Sequence, residues 1–214
     1  MVYGFNDGLT ANFGLVMGVI GANVSDAVVM LAGIAGLLAD ALSMASSGYL
    51  AARSEDEVRQ YHLKLERAEI ELMPGEERDE LARQYQRKGL TADEARAVAD
   101  RLMGNPAAAL AQLAREELGI DPEPPGSPLR EGVVTGIATG LGALIPLIPF
   151  LVVQGVQAIW IAIGISMLAH FAVGAGRAVF TGRPALRSGF DMFVVGMGVA
   201  LVTYLIGLIF AVVL

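Results

Sequence analysis

Glu66-x-x-Glu69 and Glu77-x-x-Glu80 stand on either side of Pro74-Gly75, and Glu117 lies further along the same polar stretch. Carboxylates at i, i+3 share one face of a helix. A helical hairpin folding at Pro74-Gly75 brings both pairs together, and converging carboxylates repel unless a cation joins them. The chemistry would be oxygen ligation of a divalent cation. The same spacing also suits a solvated acidic face balanced by Arg67, Arg78 and Arg83, and spacing alone does not separate the two.

A second group lies in apolar sequence. Asp7 interrupts the first hydrophobic run, and Asp40 and Met44 sit at i, i+4 on one face of the next. A charged side chain at the bilayer centre costs at least ~2.5 kcal/mol and marks an ion or proton path by default. The bland alternatives are that Asp7 borders its helix in the headgroup region and that Asp40 pairs with a backbone donor. Met44 adds a soft thioether, which beside carboxylates favours a transition metal over Mg²⁺ or Ca²⁺. His170, on an apolar helix, reads as a hydrogen-bonded core histidine, and Arg177, Arg183 and Arg187 as topology anchors.

The elements that must position these groups are membrane helices. Hydrophobic residues make up 54% of the chain and charged ones 17%, and the charge is local. Residues 53–131 hold 18 of the 22 acidic and 12 of the 15 basic residues. An acidic, mixed-sign surface lacks the basic face that nucleic-acid binding needs. With no cysteine, disulfides and thiolate metal sites are excluded. There is no Walker loop, nucleophile elbow or HExxH motif, so neither ATP-driven transport nor hydrolysis has local support and no enzyme activity is expected. Lysine is confined to Lys64 and Lys88 against thirteen arginines, which points to a GC-rich bacterial source.

Taken in order, a first span starts near Val2 and includes Asn6 and Asp7. No basic n-region or cleavage pattern supports a signal peptide, and the abrupt start predicts a longer natural chain upstream. Asn23 to Asp26 turns, with Ser25 or Asp26 as N-cap, and a second span from about Ala27 to Ala52 continues as a charged helix to Leu72. Helices follow over 76–88, from the Thr91-x-x-Glu94 capping box to Met103, and from Asn105-Pro106 to Leu118. A stiff linker with four prolines spans 121–128. The third span, 132–153, shows Gly132, Gly136 and Gly140 at close-packing spacing, and Pro146 and Pro149 free carbonyls at its far end. The fourth and fifth spans cover 158–180 and 189–214. The fold class is thus an all-α membrane protein of five transmembrane helices with a cytosolic helical domain between helices 2 and 3. Its domains are 1–53, 54–128 and 129–214. The turns after spans one and three carry no Lys or Arg, so the insert, which holds most of the basic residues, and the loop before span five face the cytoplasm, with the N-terminus beside them.

Four motifs in this order resemble the vacuolar iron transporter family: Asn6-Asp7-Gly8-Leu9-Thr10, Ala41-Leu42-Ser43-Met44-Ala45, Gly48-Tyr49-Leu50-Ala51-Ala52-Arg53-Ser54 and Ile145-Pro146-Leu147-Ile148-Pro149-Phe150. The resemblance covers essentially the whole chain. It implies a homodimeric, proton-coupled antiporter that moves Fe²⁺, or Mn²⁺, out of the cytosol. By the same resemblance Asp7 and Met44 line the path, and Glu66, Glu69, Glu77, Glu80 and Glu117 bind metal; Asp40, one turn after Gly36 on the same face, is this chain's own candidate to stand in for a family glutamate on the path. Co²⁺ and Zn²⁺ are further candidate cargo. The expected setting is a multi-pass protein of a bacterial inner membrane, or of a vacuolar membrane in a eukaryote, whose partners are lipid, metal ions and protons. Two positions depart from the family: Gly36 stands where related transporters often carry a glutamate, and Leu113 where they carry a methionine ligand. The other readings are a membrane-anchored metal sensor or store, a ferroxidase-like di-iron protein and a pure channel. No Glu-x-x-His pair occurs to support the di-iron reading.

Overall fold

A computed structural model describes residues 2–123 and 126–213. Among them every regular element is helical: α1 (Val2–Gly21), α2 (Asp26–Leu72), α3 (Pro74–Arg87), α4 (Ala92–Met103), α5 (Pro106–Glu116), α6 (Pro128–Leu144), a 3₁₀ turn (Ile145–Leu147), α7 (Ile148–Val152), α8 (Val156–Thr181) and α9 (Ala185–Val213). The chain divides into two compact units, residues 1–50 with 128–214, and residues 51–127.

The first unit is the apolar one. Four stretches are long and apolar enough to cross a membrane, within α2, from α6 to α7, in α8 and in α9. The expected first span, α1, is 20 residues long but is not one of these four. Asn6, Asp7, Thr10 and Asn12 lower its hydropathy. It tolerates them because it is the enclosed helix, packed against α6, α8 and α9 with Leu9, Phe13 and Val16 wholly buried. Thr10 and Asn12 find protein partners there, in His170 and the Ala143 carbonyl, whereas Asp7 stays on the exposed side.

Glycine lets these helices touch backbone to backbone. The expected face on α6 meets α2: a Cβ on Gly132 would lie 2.6 Å from the Ala45 carbonyl oxygen, and one on Gly136 would lie 2.8 Å from that of Ala41. Gly140 makes only an ordinary contact with Ala41. As Pro146 and Pro149 require, α6 gives way to the 3₁₀ turn and then α7.

α2 starts at Asp26, which leaves Ser25, of the two expected residues, at the N-cap position, and the Asp26 side chain has another partner. Its Oδ2 accepts a hydrogen bond from the Gly155 N–H at 2.6 Å, joining the α1–α2 turn to the α7–α8 turn. Gly155 holds φ 66°, ψ −150°, a region open essentially to glycine alone, although a Cβ there would meet open space. Gly155→Ala is therefore expected to cost about 1–3 kcal/mol through backbone strain alone. Asp26→Ala should cost about 1 kcal/mol by removing the acceptor. Thermal unfolding of the detergent-purified variants checks the order.

The second unit is a small helical bundle. Ile70, Leu81, Ala82, Ala95, Ala99, Ala109 and Leu113 form its core. α3 begins at Pro74 itself, two residues before the expected start, because proline is preorganised for the first helical position. The capping box opens α4: Thr91 Oγ1 accepts from Glu94 N, and Thr91 N donates to Glu94 Oε2 at 2.9 Å. Asn105 Oδ1 caps α5. Arg59 donates to the Pro122 carbonyl at 2.8 Å and to Asp56, which ties the start of the proline-rich segment to α2.

A candidate cation site and a polar seam

Folding at Met73-Pro74 turns α3 back, and α5 closes the bundle. Three carboxylates then converge. Glu66 on α2, Glu77 in the first turn of α3 and Glu117 at the end of α5 each place an oxygen within 4.8 Å of the others. Glu66 is 2% exposed and Glu77 7%, whereas Glu117 reaches solvent. Glu66 Oε1 and Glu77 Oε2 are buried without a hydrogen-bond partner. A solvated acidic face would show neither burial nor unsatisfied oxygens.

The arginines do not neutralise this group. Arg78 pairs with Asp79 and Asp100, and Lys88 with Glu116. None of the ion pairs among the described residues of the unit involves Glu66, Glu69, Glu77, Glu80 or Glu117. Burial, reinforced by Glu117, Glu77, Glu69 and Glu80, pushes the Glu66 carboxyl up to about 7. Glu77 and Glu117 are raised as well, by burial first and then by their acidic neighbours. Two ionised carboxylates 4.8 Å apart repel by about 3 kcal/mol at an effective dielectric of 20. A divalent cation removes that repulsion and satisfies the orphaned oxygens together.

Glu69 and Glu80 are half-buried and close enough to act electrostatically, but neither joins the three oxygens that meet. Leu113, four residues before Glu117, is buried in the core and offers no donor atom. The convergent set is carboxylate oxygen only, which suits hard or borderline divalent ions such as Mn²⁺ and Fe²⁺.

In the apolar unit, Asp7 lies on the exposed side of α1, and Asp40 and Met44 are half-exposed on α2. Asp7 and Asp40 are close enough for their charges to repel, and Asp40 Oδ2 has no hydrogen-bond partner. Asn6 Oδ1 is likewise buried and unpartnered. His170 is fully buried; its Nδ1–H donates to Ser166 O at 2.7 Å, so Nε2 accepts from the Thr10 hydroxyl at 3.1 Å. It is a neutral, fully engaged core residue.

Sequence reasoning passed over Asn12. It is 2% exposed, its Nδ2 donates to Ala143 O at 2.6 Å, and its Oδ1 has no partner. Ala143 lies in the last turn of α6, where carbonyls lack intrahelical donors. The signal was present as an amide between Leu9 and Phe13 in a helix that Pro146 and Pro149 leave with free carbonyls nearby.

The chain as a whole is similar in sequence to known proteins. The chain is 36% identical over 197 residues to "Vacuolar iron transporter 1" of Arabidopsis thaliana, covering 92% of this chain and 79% of that protein. It is 33% identical to "Vacuolar iron transporter" of Centaurea cyanus over 92% of this chain and 80% of that one. It is 28% identical to "Vacuolar iron transporter" of Toxoplasma gondii over 97% and 72%. The family model described as VIT family matches residues 1–208, which include all three converging glutamates and the Asp7–Asp40–Met44 group. On both grounds the chain belongs to the VIT family.

Proposed function

We propose that this chain is an antiporter that carries Fe²⁺, and Mn²⁺ as a second cargo, out of the cytosol in exchange for protons. The observation that carries the reading is the convergence of Glu66, Glu77 and Glu117, with two buried oxygens unsatisfied, in a chain whose relatives are named iron transporters. Glu69 and Glu80 add negative charge that concentrates cations at the cluster, which collects the ion from the cytosol. Asp7, Asp40 and Met44 line the membrane path, and protons entering from the far side displace metal from the carboxylates. α1 then acts as a fifth span, and the insert is cytosolic.

The exposed stripe of Tyr3, Asp7, Ala11 and Leu15 on α1 supports a homodimer whose path runs between protomers. In a lone protomer that stripe would set a carboxylate against lipid, which is costly. No bond is made or broken in the cargo, so the protein is a transporter and not an enzyme. The di-iron reading fits less well, because no histidine joins the convergent carboxylates among the described residues.

Fe²⁺ flux into proteoliposomes under an imposed pH gradient tests the proposal. Wild type should respond to the gradient, and Asp7→Ala should lose at least about tenfold, since a carboxylate in the path is replaced by apolar surface. Gradient-independent flux would make the protein a channel. Metal binding without flux would make it a sensor or store.

A further inference from the structure

Asn12 carries a buried oxygen with no partner, at a position that the sequence motifs do not include. A Cβ built on Gly36 of α2 would lie 3.0 Å from Asn12 Oδ1. Its other near neighbour is the Leu15 side chain, at 2.4 Å. The Oδ1 therefore points at the bare backbone of Gly36. Its direction is fixed, because Nδ2 of the same amide is held by Ala143 O at 2.6 Å. A buried acceptor with no donor costs about 1–3 kcal/mol. Here nothing in the fold repays it, and beside the bare Gly36 backbone only the flexible end of Leu15 stands near the oxygen.

The chain reverses over residues 22–25, so α1 and α2 run antiparallel as neighbours. Gly36 faces Asn12 and Leu15, and Asp40 lies one turn, about 6 Å, toward the level of Asp7. Met44 lies one turn beyond that. Read inward, the order is Met44 with Asp7, then Asp40, then Asn12. Past Asn12 the helices present Val16, Val29 and Leu147, an apolar cluster. Asp40 Oδ2 and Asn12 Oδ1, each unpartnered, are consecutive oxygens along this seam.

We infer that Asn12 Oδ1 is the innermost oxygen ligand of the translocated cation, reached past the bare backbone of Gly36, where the end of the Leu15 side chain must move aside. The inference rests on the transport reading. An amide oxygen does not titrate, so this station holds the ion by dipole and releases it without protonation, while Asp40 and Asp7 handle protons. The combination of Gly36 and Asn12 then replaces a carboxylate on α2 with a neutral oxygen on α1.

Two variants separate this from a packing role. Gly36→Ala sets a methyl against Oδ1 and leaves the Asn12–Ala143 bond in place. Asn12→Leu removes the oxygen. Both are expected to lower Fe²⁺ flux in proteoliposomes at least about tenfold, with Mn²⁺ binding at the Glu66–Glu77–Glu117 cluster unchanged. Asn12→Asp, which keeps an oxygen but adds charge, should transport with a shifted Fe²⁺-to-Mn²⁺ flux ratio, which packing alone would not move. Wild-type flux in Gly36→Ala, or an unshifted ratio in Asn12→Asp, overturns the inference. Asp7→Ala in the same assay separates the two levels. If Asp7→Ala loses flux and the Asn12 and Gly36 variants do not, only this inference fails; if Asp7→Ala also transports normally, the transport path and this inference fall together.

Discussion

Replacing Glu66 and Glu77 together by glutamine is expected to remove high-affinity cation binding at the Glu66–Glu77–Glu117 cluster of the purified full-length protein. Both residues contribute oxygens to the convergent group, and both carry a buried oxygen with no other partner. Loss of an outer partner of a metal ligand typically costs 10–100-fold in affinity. Loss of two ligands should exceed roughly 100-fold, measured with Mn²⁺ by isothermal titration calorimetry. Glu71→Gln, at an exposed position outside the cluster, is the control and should bind as wild type.

The same cluster makes binding and stability respond to pH with opposite signs. Glu66 titrates near 7 in the folded protein against 4.5 for an ordinary glutamate. The folded state therefore holds this proton more tightly than the unfolded state. Metal-free stability is greatest at low pH, falls as pH rises from 4.5 toward 7 and levels off above it. With the shift discounted for solvent screening, the change is on the order of 2 kcal/mol. Metal binding runs the other way, because ligation needs the carboxylate form. If one proton is displaced per ion, affinity should weaken about tenfold per unit as pH falls below 7. In the doubly substituted protein both dependences should shrink to what Glu117 alone sustains, and the metal-free form should melt higher than wild type at pH 7.5. A variant that binds Mn²⁺ normally would remove Glu66 and Glu77 from the site.

The insert was the most legible part of the chain because its signals are local. Thr91 with Glu94, Asn105 with Pro106, and Pro74-Gly75 each act within one turn, and the helices begin and end within about two residues of where those residues place them. Which glutamates meet is not a local property. Glu69 shares a helix face with Glu66 and Glu80 with Glu77, yet the convergent oxygens come from α2, α3 and α5. That choice is made by how Leu81, Ala82, Ala109 and Leu113 pack, and no spacing rule reports it. In the apolar unit, Asp7, Asp40 and Met44 stood out because ionisable or soft groups are rare in such sequence. Asn12 did not, since a neutral amide carries little cost until its partners are known. α1 is less apolar than the four candidate spans for a related reason: packed against α6, α8 and α9, it is shaped by close helix contact.

That enclosure yields the second large effect. Gly8→Val and Gly142→Val are each expected to abolish recovery of folded protein. α1 and α6 cross with these two glycines in contact with the opposing backbone. A Cβ on Gly8 would fall 2.0 Å from the Thr139 carbonyl oxygen, and one on Gly142 would fall 2.0 Å from that of Phe5 and 2.9 Å from Leu9 N. Neither obstacle is the end of a flexible side chain. The helices must separate, and separation also breaks the Asn12–Ala143 bond one turn away. Overpacking of a rigid contact typically costs 1–3 kcal/mol and more when backbone must move. Against a total stability of roughly 5–15 kcal/mol, that displacement along a whole helix pair is decisive. The control lies in the same membrane unit. Gly164, Gly176 and Gly198 have no heavy atom within 4 Å of a built Cβ. Alanine at these positions should therefore be neutral or stabilise by about 0.5–1 kcal/mol, because glycine is the poorer residue inside a helix. Size-exclusion profiles and melting temperatures of the five variants in detergent decide it. If Gly8→Val elutes and melts like Gly176→Ala, then α1 and α6 do not touch backbone to backbone, and the position assigned to Asn12 beside Ala143 goes with that contact.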